Sequence, residues 1–230
     1  MNNSVSVVIP ALNEDQTLEK VTVNLDAFLK KGGFDYEIII VDDGSTDKTG
    51  QIADQLMSQN ERVRTLHNTK NMGFGYAFKR GIENASKTWA TLVTADDEVE
   101  IEDIPLFLPH AEKSDIIIGY INNKWIRSRM RRFLSWGFRT TVRILFKMNF
   151  EGINGMPFYR VSEVNKLDIM SDDFSIQAEI LVKGAKKGLR VGKFGYRIKP
   201  RLAGEAKATQ PKHIWRALVS TMKLWQDIKK

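Results

Sequence analysis

Three short strings in the first hundred residues place carboxylates and turn-forming residues directly behind apolar, β-branched runs. They are Pro10-Ala-Leu-Asn-Glu14, Asp42-Asp43-Gly44-Ser45 and Thr94-Ala-Asp-Asp-Glu98. Uninterrupted apolar runs of this kind are the pattern of strands buried on both faces. If the strands are parallel, all three strings open on one edge of one sheet, where open α/β sheets bind ligands. Carboxylates gathered on one edge repel one another unless a cation or hydrogen-bond donors intervene. A hard divalent cation with oxygen ligands is an economical resolution, and such ions commonly reach a site together with substrate phosphates. Asp42 and Asp47 suit capping or turn formation at least as well as ligand contact. Asp43, Asp96 and Glu98 are the candidates for function.

The elements that must position these groups alternate. Ser4–Pro10 reads as a strand, followed by helical spacing at Leu18, Val21, Leu25, Phe28 and Leu29 that Gly32-Gly33 stops. Further strands are expected over Tyr36–Val41, Val63–Leu66, Trp89–Val93 and Asp115–Gly119, with helices around Ile52–Met57 and Gly73–Ala85 between them. Such alternation predicts a doubly wound α/β domain with a parallel sheet. The second half is less regular: a helix over Arg127–Met148, a loop at Gly152–Pro157, a helix over Ile176–Lys186, a strand near Leu189–Ile198 and an amphipathic tail from His213. One domain over residues 1–210 with a C-terminal helix over 211–230 is the simplest division.

The chain has 230 residues, 42% hydrophobic and 27% charged, which is globular and not disordered. It lacks cysteine, so thiol catalysis and Cys-ligated metals are excluded, and its three histidines are scattered. The Met-Asn-Asn-Ser start carries no signal-peptide pattern, and no apolar run reaches the ~20 residues of a membrane-spanning helix. A soluble, cytoplasmic protein is expected.

The net charge of +7 is segregated. Residues 116–150 hold eight basic residues and no acidic one, and residues 181–230 hold fourteen basic against two acidic. The remainder is acidic, so the second half calls for an anionic partner: nucleic acid, a phospholipid surface or a phosphorylated small molecule. The helix at 127–148 sets Met130, Phe133, Leu134, Phe138, Val142 and Leu145 against a basic stripe of Arg129, Arg132, Arg139, Arg143 and Lys147. Interfacial helices combine the two in this way, and Trp136, Trp215 and Trp225 suit headgroup depth. The alternative is that the apolar faces pack on the core and the arginines are solvated. Aromatics are not interleaved with basic residues on a strand platform, so nucleic acid is not the expected partner.

The strings Val-Val-Ile-Pro-Ala-Leu-Asn-Glu, Ile-Val-Asp-Asp-Gly-Ser-Thr-Asp and Asn71-Met-Gly-Phe-Gly-Tyr-Ala77 resemble glycosyltransferase family 2. Among its members the chain is most similar to the dolichol-phosphate mannose synthase branch, over roughly residues 4–210. The resemblance implies a single Rossmann-like nucleotide-sugar-binding domain of GT-A type, with a mostly parallel sheet and an amphipathic C-terminal helix. It implies an inverting, metal-dependent transfer of a sugar from a GDP- or UDP-sugar to a polyprenyl phosphate, with Mg2+ or Mn2+ as cofactor.

By position, Pro10, Leu12, Glu14, Val41, Asp43, Thr94, Ala95 and Asp96 correspond to the donor pocket, and Asp96 and Glu98 to the metal contacts. Arg201-Leu-Ala-Gly-Glu-Ala-Lys207 resembles the loop whose basic residues approach the phosphates, which makes Arg201 and Lys207, with Asp96, the expected catalytic groups. Arg129, Arg132, Arg139 and Arg143 are candidates for the acceptor phosphate or the membrane. The protein is then expected at the cytoplasmic face of a membrane, peripherally bound or held by an anchoring subunit.

The chain departs from the family at Thr94, where the first metal-motif Asp is expected, and at Gly119-Tyr-Ile-Asn, which lacks at Ile121 an arginine expected near the donor; Lys124 and Arg127 are the candidates to substitute for it. Ala206 replaces a serine, and Glu151-Gly-Ile-Asn-Gly155 an Asp-X-X-Ser-Gly. A saccharide acceptor is the second reading; it would need a base, for which Asp172, Asp173 and Glu179 are candidates. A degenerate nucleotide-binding homologue is the third.

Overall fold

The computed structural model describes residues 3–200 and 210–229. Seven strands form one sheet in the order β3-β2-β1-β4-β6-β5-β7. The first four are β1 (Ser4–Ala11), β2 (Asp35–Asp42), β3 (Val63–His67) and β4 (Trp89–Leu92); they run parallel and alternate with α1 (Leu18–Lys31), α2 (Thr49–Gln59) and α3 (Phe74–Glu83). A 3-10 turn (Ile101–Phe107) and the short α4 (Leu108–Ala111) lead into β5 (Ile116–Ile121). After α5 (Arg129–Phe146), β6 (Pro157–Arg160) inserts antiparallel between β4 and β5. The one-turn α6 (Val161–Val164) and α7 (Ile176–Lys186) precede β7 (Val191–Tyr196), which pairs parallel with β5, and α8 (Pro211–Lys229) closes the chain.

The alternation of side chains along each strand builds two cores. Val5, Val7 and Ile9 of β1 join Ile38 and Ile40 of β2 beneath α1 and α2, while Val8, Ile39 and Val41 face α3 and the later helices. Gly33, in the left-handed conformation at φ 66°, ends α1, and the Phe34 N–H returns to the Leu29 carbonyl at 3.1 Å. Pro10 is tolerated in a central strand because β1 pairs with β4 only as far as Val8.

Strand β6 was not expected. It is four residues long and begins with a proline, and its Phe158 and Tyr159 offer no alternating pattern because both faces are buried. Phe158 stacks on Phe107 with ring centroids 4.0 Å apart. Helix α5 also differs from the expected single apolar face. Its C-terminal half enters the second core through Val142 and Phe146, whereas Met130, Phe133 and Trp136 are 64%, 63% and 57% exposed. Helix α8 reaches the same core through Leu224 and packs against α5 and α7.

The glycines of the 71–75 loop are set by close approach. A Cβ on Gly75 would lie 2.5 Å from the Asp173 carbonyl oxygen and 2.6 Å from its amide nitrogen. The Gly75 N–H in turn donates to the Asp172 carbonyl at 3.1 Å. We therefore expect Gly75→Ala to cost about 1–3 kcal/mol in urea unfolding, since the crowding atoms are backbone; an unchanged midpoint would contradict this packing.

Candidate active site

The ends of β1 and β2 are stapled together. The Asn13 N–H donates to Ser45 Oγ at 3.0 Å, the Thr46 N–H to Asn13 Oδ1 at 2.9 Å and the Glu14 N–H to Thr49 Oγ1 at 2.8 Å. Asn13 has φ 52°, a left-handed value that asparagine tolerates. Pro10 and Leu12 flank this staple, and Val41 is fully buried behind it.

Asp42 and Asp43 divide their labour. Asp42 accepts the Ser45 N–H at 3.0 Å and faces His67 Nδ1 at 3.0 Å, while Asp47 accepts the Thr49 N–H at 2.9 Å. Both form turns. Asp43 is buried, and its Oδ1 receives Asn68 Nδ2 at 2.7 Å and the Met72 N–H at 2.9 Å; its Oδ2 receives the Gly73 N–H at 2.9 Å. Arg80 Nη1 holds Asn68 Oδ1 at 2.6 Å, so α3, the glycine loop and β2 meet at one carboxylate.

The loop after β4 brings Thr94, Ala95, Asp96 and Glu98 to the same edge. Thr94 Oγ1 donates to Asp96 Oδ1 at 2.6 Å, and the Glu98 N–H to the same oxygen at 3.2 Å. Asp97 makes the turn in the left-handed region, φ 56°, and pairs with Lys20 and Lys199 at 3.2 Å each. Glu98, 5% exposed, does not present an open carboxylate. Arg127 reaches its Oε1 through Nε at 3.1 Å and Nη2 at 3.0 Å, and Arg131 Nη2 reaches Oε2 at 2.8 Å. Burial raises the Glu98 carboxyl, but these arginines outweigh it and hold it below the usual carboxylate range. The repulsion that made a cation economical is thus already met by internal donors.

The donor set suits a hard cation only in part. Asp96, with the Thr94 hydroxyl beside it, would supply oxygen to an ion whose other ligands came from substrate phosphates and water. Among the described residues no group of three His, Asp or Glu side chains could form an all-protein cage.

Beside this edge lies a cleft of about 110 Å³ between the end of β5, α5 and the 152–155 loop. Lys124, Arg127, Arg132 and Arg139 line it, without an acidic residue. Arg129 and Arg143 are exposed and do not line it. Trp125, 74% exposed, precedes α5 by four residues in the chain. Arg201 and Lys207 lie outside the described residues.

The carboxylates considered as bases are committed elsewhere. Glu179 is fully buried; it accepts the Met170 and Ser171 N–H groups at 2.9 and 2.7 Å and pairs with Lys183 at 2.9 Å. Asp173 accepts the Ser175 N–H at 2.8 Å and Ser220 Oγ at 2.6 Å, tying α8 to the 170–175 loop. Asp172 pairs with Lys79 at 3.1 Å. The partners His67, Asn68 and Arg131 are not among the site candidates of the sequence, whereas Arg127, with Lys124, is a candidate there to substitute for the arginine missing at Ile121. The bonds from His67 to Asp42, from Asn68 to Asp43 and from Arg127 and Arg131 to Glu98 each span 25 or more residues, beyond the reach of any local pattern.

A mostly parallel α/β sheet with polar loops gathered at the carboxyl ends of β1, β2 and β4 defines an open α/β protein with its ligand edge there. The model of glycosyl transferase family 2 matches residues 6–166, and the chain belongs to this family. It is 30% identical over 226 residues to a dolichol-phosphate mannosyltransferase of Pyrococcus furiosus, covering 93% of this chain and 63% of that protein. It is 30% identical over 150 residues to a dolichyl-phosphate beta-glucosyltransferase of Trichomonas vaginalis, covering 60% of this chain and 46% of that protein. The chain therefore spans less than two thirds of the length of either relative. Glucosyl-3-phosphoglycerate synthase from Mycobacterium tuberculosis, solved with Mn2+, UDP and phosphoglyceric acid, superposes with a TM-score of 0.73 at 16% identity, over 96% of this chain and 78% of that one. The likeness shows a shared GT-A fold.

Two outcomes follow from the site's electrostatics. Contacts with Asp54 raise the His67 imidazole above the ordinary value, burial opposes this, and Asp42 adds to it. A raised folded value gives stability that is complete below the ordinary histidine pKa and is lost as pH rises through the folded one. Between pH 6 and 8 the urea midpoint of the wild type should fall further than that of His67→Gln; parallel curves would contradict the pairing. Glu179→Ala should cost about 3–5 kcal/mol, because it strands Lys183 and two amides; a variant of wild-type stability would return Glu179 to the candidate bases.

Proposed function

We propose that the chain transfers a sugar from a nucleoside-diphosphate sugar to the phosphate of a polyprenyl lipid at a membrane surface, with inversion at the anomeric carbon. The observation that carries this reading is the junction of two surfaces. The carboxylate edge of β1, β2 and β4 meets, through the Arg127–Glu98 pair, a cleft lined by four basic residues, and the segment that supplies those residues also exposes Trp125, Met130, Phe133 and Trp136. The relatives that bear dolichol-phosphate names support the lipid acceptor, and the neighbour solved with UDP and Mn2+ supports the donor and the ion.

The donor base and ribose are assigned to the stapled ends of β1 and β2, with Pro10, Leu12, Glu14, Val41 and Asp43. Three of the approximately four lone-pair directions on Asp43 are taken by Asn68, Met72 and Gly73, so its main task is to hold the glycine loop and it offers the base one acceptor direction. Thr94, Ala95 and Asp96 face the diphosphate, and Asp96 is the residue we assign to Mg2+ or Mn2+. When bound, that ion stabilises charge on the departing diphosphate.

Lys124, Arg132 and Arg139 orient the acceptor phosphate in the cleft. A phosphate monoester has its second pKa near 6, so it is largely ionised at neutral pH and needs positioning more than a base. This agrees with the structural commitments of Glu179 and Asp173, which leave the saccharide-acceptor reading without a ready base. Arg129 and Arg143, exposed on α5, are assigned to anionic headgroups, and Arg201 and Lys207 to the diphosphate and acceptor phosphate. The exposed apolar residues of α5 and α8 are assigned to peripheral docking on the membrane or to an anchoring subunit.

The test is transfer of labelled sugar from a panel of UDP- and GDP-sugars into polyprenyl phosphate on anionic vesicles. One donor should give a labelled lipid. Asp96→Ala should lower the rate by about 100-fold or more with an unchanged unfolding midpoint. Label appearing only in soluble saccharide would overturn the lipid acceptor, and full activity of Asp96→Ala would overturn the assignment of the edge.

A further inference from the structure

The carboxylate expected to complete the ion's ligand set anchors two arginines instead. Glu98 sits two residues beyond Asp96, and its N–H donates to the same Asp96 oxygen that receives the Thr94 hydroxyl. Both of its oxygens are engaged, Oε1 by two N–H groups of Arg127 and Oε2 by one of Arg131. A cation at Glu98 would have to displace two guanidinium groups from a nearly buried carboxylate.

The arginines, by contrast, have donors to spare. Each guanidinium carries five N–H groups, and no other described side chain is hydrogen-bonded to either. Their side chains are 17% and 23% exposed, enough to be reached and little enough that water screens them weakly. Arg127 also lines the basic cleft, so it links Glu98 to Lys124, Arg132 and Arg139. The two guanidinium charges of Arg127 and Arg131 face the one carboxylate charge of Glu98 before any ligand arrives. An entering diphosphate therefore meets planar forks, a geometry that suits phosphate oxygens.

We propose that Arg127 and Arg131, held in register by Glu98, form a two-guanidinium clamp on the donor diphosphate, so that this chain binds nucleoside diphosphate without a divalent cation. Glu98 is then a positioning residue for the clamp and not a metal ligand. The proposal rests on the donor-binding reading above.

Titration calorimetry of UDP and GDP into the full chain, in EDTA and then in excess Mn2+, tests it. One nucleotide should bind in EDTA within about tenfold of its Mn2+ affinity. Removing the arginines alone would strand Glu98, so the cluster is exchanged whole in Glu98→Gln/Arg127→Met/Arg131→Met. This variant should lose about tenfold or more in EDTA and a smaller factor in Mn2+. Arg127→Lys/Arg131→Lys keeps the charge and should still lose affinity several-fold in EDTA, because an ammonium lacks the fork.

Wild-type binding that requires Mn2+ overturns the clamp alone. Wild-type failure to bind in either condition overturns the donor reading and the clamp together. Unchanged affinity of the lysine variant in EDTA reduces the arginines to general charge and overturns the clamp.

Discussion

Five carboxylates, Asp42, Asp43, Asp96, Asp97 and Glu98, converge at one edge of a sheet whose strands are parallel there, and the site depends on how each is held. Asp42 has His67 and a turn amide; Asp43 has Asn68 and two loop amides; Asp97 has two lysines; Glu98 has two arginines; Asp96 has a hydroxyl and an amide. Low-dielectric surroundings make an unpartnered carboxylate costly and a partnered one strongly directional. The partners come from β3, α1, α5 and the loops between, so neutralising the edge also fixes where those elements end. A glycine loop whose amides are spent on Asp43 and whose Gly75 abuts Asp173 has little freedom to drift. The edge is thereby organised before any ligand arrives.

Helix α5 joins this edge to the rest of the molecule. Ser128 caps it by accepting the Arg131 N–H at 3.2 Å, and Arg131 in turn reaches Glu98 at 2.8 Å. Its far end is buried through Val142 and Phe146, so the helix is fixed at both ends by different forces, ion pairs at one and apolar packing at the other. Between them it exposes large apolar side chains beside arginines, a composition that exacts solubility unless something covers it. In the proposed reading a lipid surface covers it. The Asp173–Ser220 bond ties α8 to the loop beside the glycine motif, so both helices on this side are connected to the carboxylate edge through short polar contacts.

Much of this was legible in the chain. Strands β1, β2 and β4 are apolar runs with turn residues behind them, and their parallel pairing follows from the helices between. The carboxylates, the glycine loop and the family were readable because each is a local string. What escaped is non-local. β6 carries no alternation, because Phe158 and Tyr159 are both buried between neighbouring strands. The bonds from Asn68 to Asp43 and from Arg127 and Arg131 to Glu98 join residues 25 to 33 apart. Helical periodicity identified α5 but not that its apolar residues divide between core and surface, since that division depends on where the sheet ends. The physical case for a cation also shifted: carboxylate repulsion, which seemed to require one, is met by the protein's own donors, leaving Asp96 and the substrate phosphates to define any ion site.

The central claim is that a nucleoside diphosphate binds at the carboxyl ends of β1, β2 and β4. Amide hydrogen exchange of the full chain with and without UDP or GDP in Mn2+ reads this directly. The account predicts slowed exchange at residues 12–14, 43–46, 72–75 and 94–98 with one nucleotide, and little change on the exposed turns of α8. Protection confined to α5 and α8, with the three loops unaffected, would contradict it.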